Sequence, residues 1–427
     1  MIGLVDCNNF FVSCERLFNP SLEGKAVVVL SNNDGCVISR SNEAKVLGIP
    51  MGVPAFKIKE YTNPLNVVTL SCRHVIYRDI SDRVMALIGN YVESIQIYSV
   101  DECFFKLPYE DDERNYKFVC ELASTIKRYI GIPVSIGVAP SRTLAKIASH
   151  IAKKTRNGID NVYLLTREEQ FEPVLKTIPV GDVWGIGRRL NEKLLRNRVL
   201  TAYDLSISPM SWIKCMFTIN EERIVRELKG EDCAKINAID EPNKSIMASR
   251  SFGTLIEDKK TLWEAVAYFA SCCAERLRAQ NSAAMVVSVY VRGDEHKERE
   301  PFYSNTCDIR LETPSCDTAY ITQHALRAFN NIYRKGYKYK KAGVQLSHFV
   351  QNGEIQLNVF DNVDVDKQKR LMSALDKING VCGKGTLILG AQGVDKKWSP
   401  RKDHTAKQSS VLRIYSGMSF LDLGNKK

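Results

Sequence analysis

Three carboxylates stand out as the residues best suited to chemistry in this 427-residue chain. Asp6 ends the apolar run IGLVD, and the adjacent pair Asp101 and Glu102 lies inside SIQIYSVDECFFKL. Hard oxygen donors of this kind suit Mg2+, which dehydrates reluctantly and is held by one or two carboxylates together with substrate phosphates. Two such ions roughly 3.5 to 4 Å apart can clamp the attacking and leaving oxygens of an in-line displacement at phosphorus. An Asp-Glu pair by itself is usually no more than a hairpin turn. The chemistry therefore depends on whether the fold joins two sites that lie 95 residues apart in sequence.

The elements that would do this can be read from periodicity. A strand over 2 to 6 is followed by the helix-like FVSCERLF, strands at 26 to 31 and around Cys36 to Arg40, and a short helix from Asn42 to Leu47 ended by Gly48. A strand returns at 67 to 71, and 77 to 92 places Ile80, Val84, Leu87, Ile88 and Tyr91 at helical spacing. Residues 94 to 107 read as two strands joined near Asp101 and Glu102, followed by a helix over 114 to 130 and a strand at 133 to 139. The order β-α-β-β-α-β predicts a ferredoxin-like sheet in which the first strand lies beside the middle hairpin, making Asp6 and Asp101 neighbours.

Beyond 166 the chain turns helical around IPVGDVWGIGRRLNEKLL, and 236 to 249, with Pro242 and several polar residues, reads as a linker. Residues 250 to 350 alternate strands (MVVSVYV, AGVQLSHF) with helices (262 to 279, 318 to 334), and the pattern weakens into a tail after 350. The 44% hydrophobic content predicts a core-forming α+β protein of several domains, not a fibrous or disordered one. The 13 cysteines include no CxxC pair and the six histidines are scattered, which speaks for reduced core thiols and against disulfides or zinc. The amino terminus has no basic region and Asp6 breaks its apolar run, so neither a signal peptide nor a membrane span is expected. A formal charge of +11 suits an acidic partner such as nucleic acid.

DCNNFF at the amino end and YSVDEC about 95 residues later resemble the Y-family translesion DNA polymerases. LSNNDGCVISRSNEAKVLGIPMG (30 to 52), VWGIGRR (183 to 189), SRSFG (249 to 253) and GKGTL (383 to 387) resemble its UmuC-like group, so the likeness runs over nearly the whole chain. It implies a right-hand polymerase: palm over 1 to 22 and 76 to 165, small fingers over 23 to 75, helix-hairpin-helix thumb over 166 to 235, linker 236 to 249, little finger 250 to 350, and tail 351 to 427. It also implies two Mg2+ ions held by Asp6, Asp101, Glu102 and the main-chain carbonyl of Cys7, with Phe11 as an aromatic steric gate against a ribose 2′-OH. Lys45, Asn42 and Lys153 fall where the family grips the triphosphate of the incoming dNTP. Lys45 and Asn42 stand where many members have Arg and Tyr, exchanging a bidentate fork for a point charge and a phenol for an amide.

The GIG at 185 to 187 lacks a third glycine and a preceding strand, which excludes a dinucleotide-binding loop. As a helix-hairpin-helix, Gly185 and Gly187 would offer backbone N–H groups, with Arg188 and Arg189, to DNA phosphates. The stretch RAFNNIYRKGYKYKKAG (327 to 343) interleaves Arg334, Lys335, Lys338 and Lys340 with Tyr333, Tyr337 and Tyr339 as a second DNA-binding surface, with alternate residues of its strand part facing DNA and core. Gln356, Leu357, Asn358, Val359 and Phe360 resemble the peptide by which bacterial polymerases dock on the β sliding clamp. The resemblance further implies primer-template DNA as substrate, a UmuD′-like dimer and RecA as partners, an SOS context, and a bacterial cytoplasmic, nucleoid-associated location. A cyclic-nucleotide synthase would not need the hairpin, the basic domain or the clamp-like peptide. A non-catalytic DNA-binding scaffold of a repair complex would not need the three carboxylates.

Overall fold

The computed structural model describes residues 1–154, 161–233, 242–295, 301–351 and 365–405, and the chain divides near Asp240 into two compact units. The first begins with β1 (Ile2–Cys7), α1 (Phe10–Phe18), β2 (Val27–Leu30), β3 (Val37–Arg40), α2 (Asn42–Val46) and β4 (Val68–Ser71). It continues with α3 (His74–Gly89), β5 (Ile95–Ile97), β6 (Glu102–Lys106), α4 (Asp112–Ile130), β7 (Val134–Ala139), α5 (Arg142–Lys154) and β8 (Val162–Leu164). Helices α6 (Phe171–Lys176), α7 (Arg188–Arg196), α8 (Ala202–Ile207), α9 (Met210–Met216) and α10 (Ile219–Leu228) complete it.

The main sheet has the order β5-β6-β1-β7-β8, with β1 antiparallel to both neighbours. This is the expected ferredoxin-like sheet, extended by β8 parallel to β7. Because side chains alternate across a strand, each of the central strands serves two cores. Val5 and Cys7 of β1 and Cys103 and Phe105 of β6 join the core under α3 and α4. Ile2 and Leu4, with Phe104, join the one shared with α5 and the thumb helices. Asp6 and Glu102 continue this second set, so the pleat delivers both carboxylates to the α5 face. Gly137 on β7 decides how close α5 can come. A Cβ there would lie 2.1 Å from the Ser149 amide nitrogen and 2.3 Å from the Ala145 carbonyl oxygen, so only glycine lets this helix backbone rest on the sheet. A smaller sheet, β3-β2-β4, with β4 parallel to β2, forms the fingers around Val28, Leu30, Val37 and Ile49.

The second unit comprises β9 (Ser245–Ile256), α11 (Lys259–Ala279), β10 (Ser282–Arg292), β11 (Ser304–Ser315), α12 (Thr318–Ile332), β12 (Tyr339–Gln351) and α13 (Val365–Cys382). Its sheet has the order β11-β10-β12-β9, with α11 and α12 packed on one core. Two expectations are corrected here. Ser245–Ser249, expected in the linker, begin β9, because Ile246 is buried and the segment pairs in register with β12. The expected tail, where described, is folded: Asp376 of α13 accepts two 2.7 Å hydrogen bonds from Arg278, and Met372 and Trp398 are buried. Its apolar residues are spread over a helix and a later turn, so no single window shows them. The tyrosines of the basic stretch take the core side of the expected alternation: Tyr339 is fully buried, and Tyr333 and Tyr337 pack against the same cluster.

Candidate active site

Asp6 and Glu102 face each other across β1 and β6 as direct cross-strand partners. Asp101 precedes β6; its carbonyl accepts the Cys7 amide at 2.8 Å, and its carboxylate accepts the Ser99 hydroxyl at 2.5 Å. The Ser99 oxygen in turn accepts the amides of Asp101 and Glu102, which fixes the turn carrying both acids. A cleft of about 310 Å³ opens over Asp6 and Glu102, lined also by Lys146, His150, Lys153 and Trp184. Asp6 is paired with Lys153, and Glu102 accepts from Lys146 at 2.9 Å.

Burial pushes the Asp6 carboxyl up to about 7, against the pull of the Lys153 ammonium, with neighbouring Glu102 adding to the rise. The folded value lies above the ordinary one of 3.8, so Asp6 contributes stability that is complete below about pH 4 and lost as pH rises through 7. Asp6→Asn should cancel this dependence. In protein stripped of divalent ions, denaturant unfolding between pH 4 and 8 should show the variant gaining on the order of 4 kcal/mol relative to wild type. A constant gap would contradict the strained carboxylate.

The donor set suits a hard divalent cation: oxygen ligands at the ends of hydrogen-bonded strands, one of them buried at an electrostatic cost that a cation would remove. Yet no group of three His, Cys, Asp or Glu side chains among the described residues stands close enough to hold a metal ion. Ser99 holds Asp101, while the lysines supply the positive charge at Asp6 and Glu102.

Phe11, partly buried, stacks on Tyr77 with centroids 4.6 Å apart and an interplanar angle of 20°. The Tyr77 hydroxyl donates to buried Glu15 at 2.6 Å, and Arg73 grips the same carboxylate, so the ring beneath Phe11 is fixed at both ends. Asn42 and Lys45 do not line the carboxylate cleft. They meet at Asn9 instead: the Asn42 Oδ1 accepts from Asn9 at 3.1 Å and from Lys45 at 3.4 Å. Lys153, by contrast, is in the cleft.

In the thumb, Gly185 has φ +93°, and a Cβ there would meet Ile224 at 2.7 Å, so the turn requires glycine. Gly187 caps α7 without a side-chain bond, leaving N–H groups at the helix start beside exposed Arg188 and Arg189. In the second unit Arg334, Lys335 and Lys338 are exposed and Lys340 is half-buried. Gln356, Leu357, Val359 and Phe360 lie outside the described residues.

Sequence reasoning missed Lys146, Ser99, Trp184 and the role of Gly137. One signal was present: Lys146, His150 and Lys153 recur at i, i+4 and i+7, the polar stripe of α5 opposite Leu144, Ala148 and Ala152.

The impB/mucB/samB family pattern matches residues 5–150 and its C-terminal domain matches 243–359, while a domain family of unknown function, DUF4113, matches 369–409. Protein UmuC of Salmonella typhimurium is 38% identical over 97% of this chain and 100% of its own length. Protein ImpB of the same organism is 36% identical over 94% of this chain and 96% of its own. The fold is similar to that of the Y-family DNA polymerase chimera Dbh-Dpo4(243-245)-Dbh, with a TM-score of 0.62 and 22% identity over 82% of this chain and 100% of the other. With 36 to 38% identity to these relatives over nearly the full length, and the polymerase fold around a paired-strand carboxylate site, the chain belongs to the impB/mucB/samB family, the UmuC-like group of the Y-family DNA polymerases.

Proposed function

We propose that this chain, an error-prone translesion DNA polymerase, joins deoxynucleotides to a primer at the cleft of Asp6 and Glu102, with Asp101 and the Cys7 main-chain carbonyl completing the seat of two Mg2+ ions. The single observation that carries this placement is the cross-strand pairing of Asp6 with Glu102 on the face that α5 covers with lysines. Bound there, Mg2+ would lower the pKa of the primer 3′-OH and steady the departing pyrophosphate. Lys153 stands ready for the triphosphate, and its exchange of Asp6 for a phosphate oxygen keeps one positive charge in the cleft throughout. Phe11, braced by Tyr77, closes the space beneath the sugar. Asn42 and Lys45, at the palm–fingers junction by Asn9, approach the triphosphate from the other helix, α2.

The thumb hairpin at Gly185, Gly187, Arg188 and Arg189, and the exposed cations Arg334, Lys335, Lys338 and Lys340, hold primer-template DNA through its backbone, without reading sequence. Primer extension over an abasic template with Mg2+ and deoxynucleotides, alone and with β clamp, a UmuD′-like dimer and activated RecA, tests the assignment. Silence in every mixture, with primer-template still bound, would favour a DNA-binding scaffold.

The UmuD′-like dimer and RecA enter as partners through the family likeness. The clamp enters through Gln356, Leu357, Val359 and Phe360, whose apolar side chains would fill a pocket on the clamp surface. Phe360→Ala should remove clamp-stimulated synthesis, by about tenfold or more, while synthesis without the clamp is retained. Persisting stimulation would move the clamp site elsewhere. No helix among the described residues is long and apolar enough to cross a membrane.

A further inference from the structure

The cleft holds one cation that the polymerase reaction as set out above does not use. The Lys146 ammonium lies 2.9 Å from Glu102 Oε2, 4.8 Å from the centroid of the Tyr98 ring and 5.3 Å from that of Trp184. The two rings meet edge to face at 90° with centroids 5.3 Å apart, and Trp184 Nε1 donates to the Tyr98 hydroxyl at 3.1 Å. The Tyr98 amide also donates to the Glu102 carbonyl at 3.0 Å, so ring, backbone and carboxylate are tied together.

An ordinary surface ion pair holds a lysine weakly, because the entropy of its four-carbon stem opposes a single geometry. Here the side chains of Lys146 and Glu102 are only 27% and 15% exposed, and two aromatic faces attract the same ammonium. Charge, shape and a fixed ring pair converge on one position. Trp184 immediately precedes Gly185, so the seat is partly built by the segment that leads into α7.

We infer that Lys146 is the resident counter-ion of Glu102, seated by Tyr98 and Trp184 as positioning residues, and that a divalent cation at the carboxylates must compete with it. This rests on the metal reading given under the proposed function. Two like charges cannot share one carboxylate without cost, so a firmly seated ammonium raises the cation concentration at which the site fills.

The test is Mn2+ binding to the full chain with primer-template and no nucleotide, followed by the electron paramagnetic resonance of free Mn2+, a readout independent of turnover. Lys146→Met and Trp184→Leu should each bind Mn2+ about fivefold more tightly than wild type, equivalent to about 1 kcal/mol. Lys146→Arg, whose guanidinium both pairs with a carboxylate and stacks on aromatic rings, should stay near wild type. Tyr98→Phe, which removes only the hydroxyl that orients Trp184, should fall between.

Unchanged or weaker binding by Lys146→Met, in protein with a cooperative melting transition, overturns the inference; Met preserves the packing of the stem should Trp184→Leu fail to fold. If wild-type Mn2+ binding is indifferent to Asp6→Asn, the metal reading falls and takes the inference with it. If that dependence is intact and the lysine variants do not move, only the role of Lys146 falls.

Discussion

Asp101→Ala is expected to abolish primer extension on an abasic template, with a loss of at least about 10³-fold in rate while primer-template binding is kept. The size follows from what the carboxylate supplies. Removing one preorganised electrostatic partner from a charge-developing transition state costs about 3 to 4 kcal/mol, and a cation that loses one of its few protein ligands is also displaced. Asp101 suits this test better than Asp6 or Glu102, because its carboxylate accepts the Ser99 hydroxyl, whereas those of Asp6 and Glu102 are paired with the α5 lysines Lys153 and Lys146. Its removal should leave the lysine-covered sheet intact. Single-turnover extension beside a DNA-binding titration checks it: a variant that still extends at more than about a tenth of the wild-type rate would remove Asp101 from the reaction.

The second large effect concerns the sugar. Phe11→Ala should raise the use of ribonucleotides relative to deoxynucleotides by about 10²-fold in the ratio of kcat/KM, equivalent to about 2.7 kcal/mol. The proposed gate would owe its selectivity to being unable to retreat: the ring stacks on Tyr77, whose hydroxyl is held by Glu15, which Arg73 holds in turn. A rigid wall rejects one extra oxygen where a mobile ring would give way. A ratio unchanged by the substitution would reduce Phe11 to an ordinary core residue, the role its periodicity alone indicates. The ratio is insensitive to a general loss of activity, so damage to the fold would not imitate the effect.

Much of the fold could be read from local pattern because the signals are local. Alternation in IGLVDC and ECFFK reports two-sided burial, and the β-α-β-β-α-β order leaves few ways to assemble a sheet, so the meeting of Asp6 with the Asp101–Glu102 pair followed from topology alone. The family motifs then named the reaction. Where the sequence left a choice, the residues had two readings at equal spacing. The tyrosines at 333, 337 and 339 interleave with cations whether they grip DNA or line a core, and burial chose the core.

The sequence by itself determined the element types, the carboxylate trio and the class of chemistry, since periodicity and motif spacing are properties of short windows. Only the tertiary structure decided which cations answer those carboxylates. Lys146 reaches Glu102 because Gly137 lets α5 lie against β7, and Trp184 reaches Lys146 because the thumb packs on the same face of the sheet. The folding of α13 and Trp398 onto the second unit was decided in the same way. Each is a contact between segments far apart in the chain, set by how closely two surfaces can approach, and no window of sequence contains both surfaces.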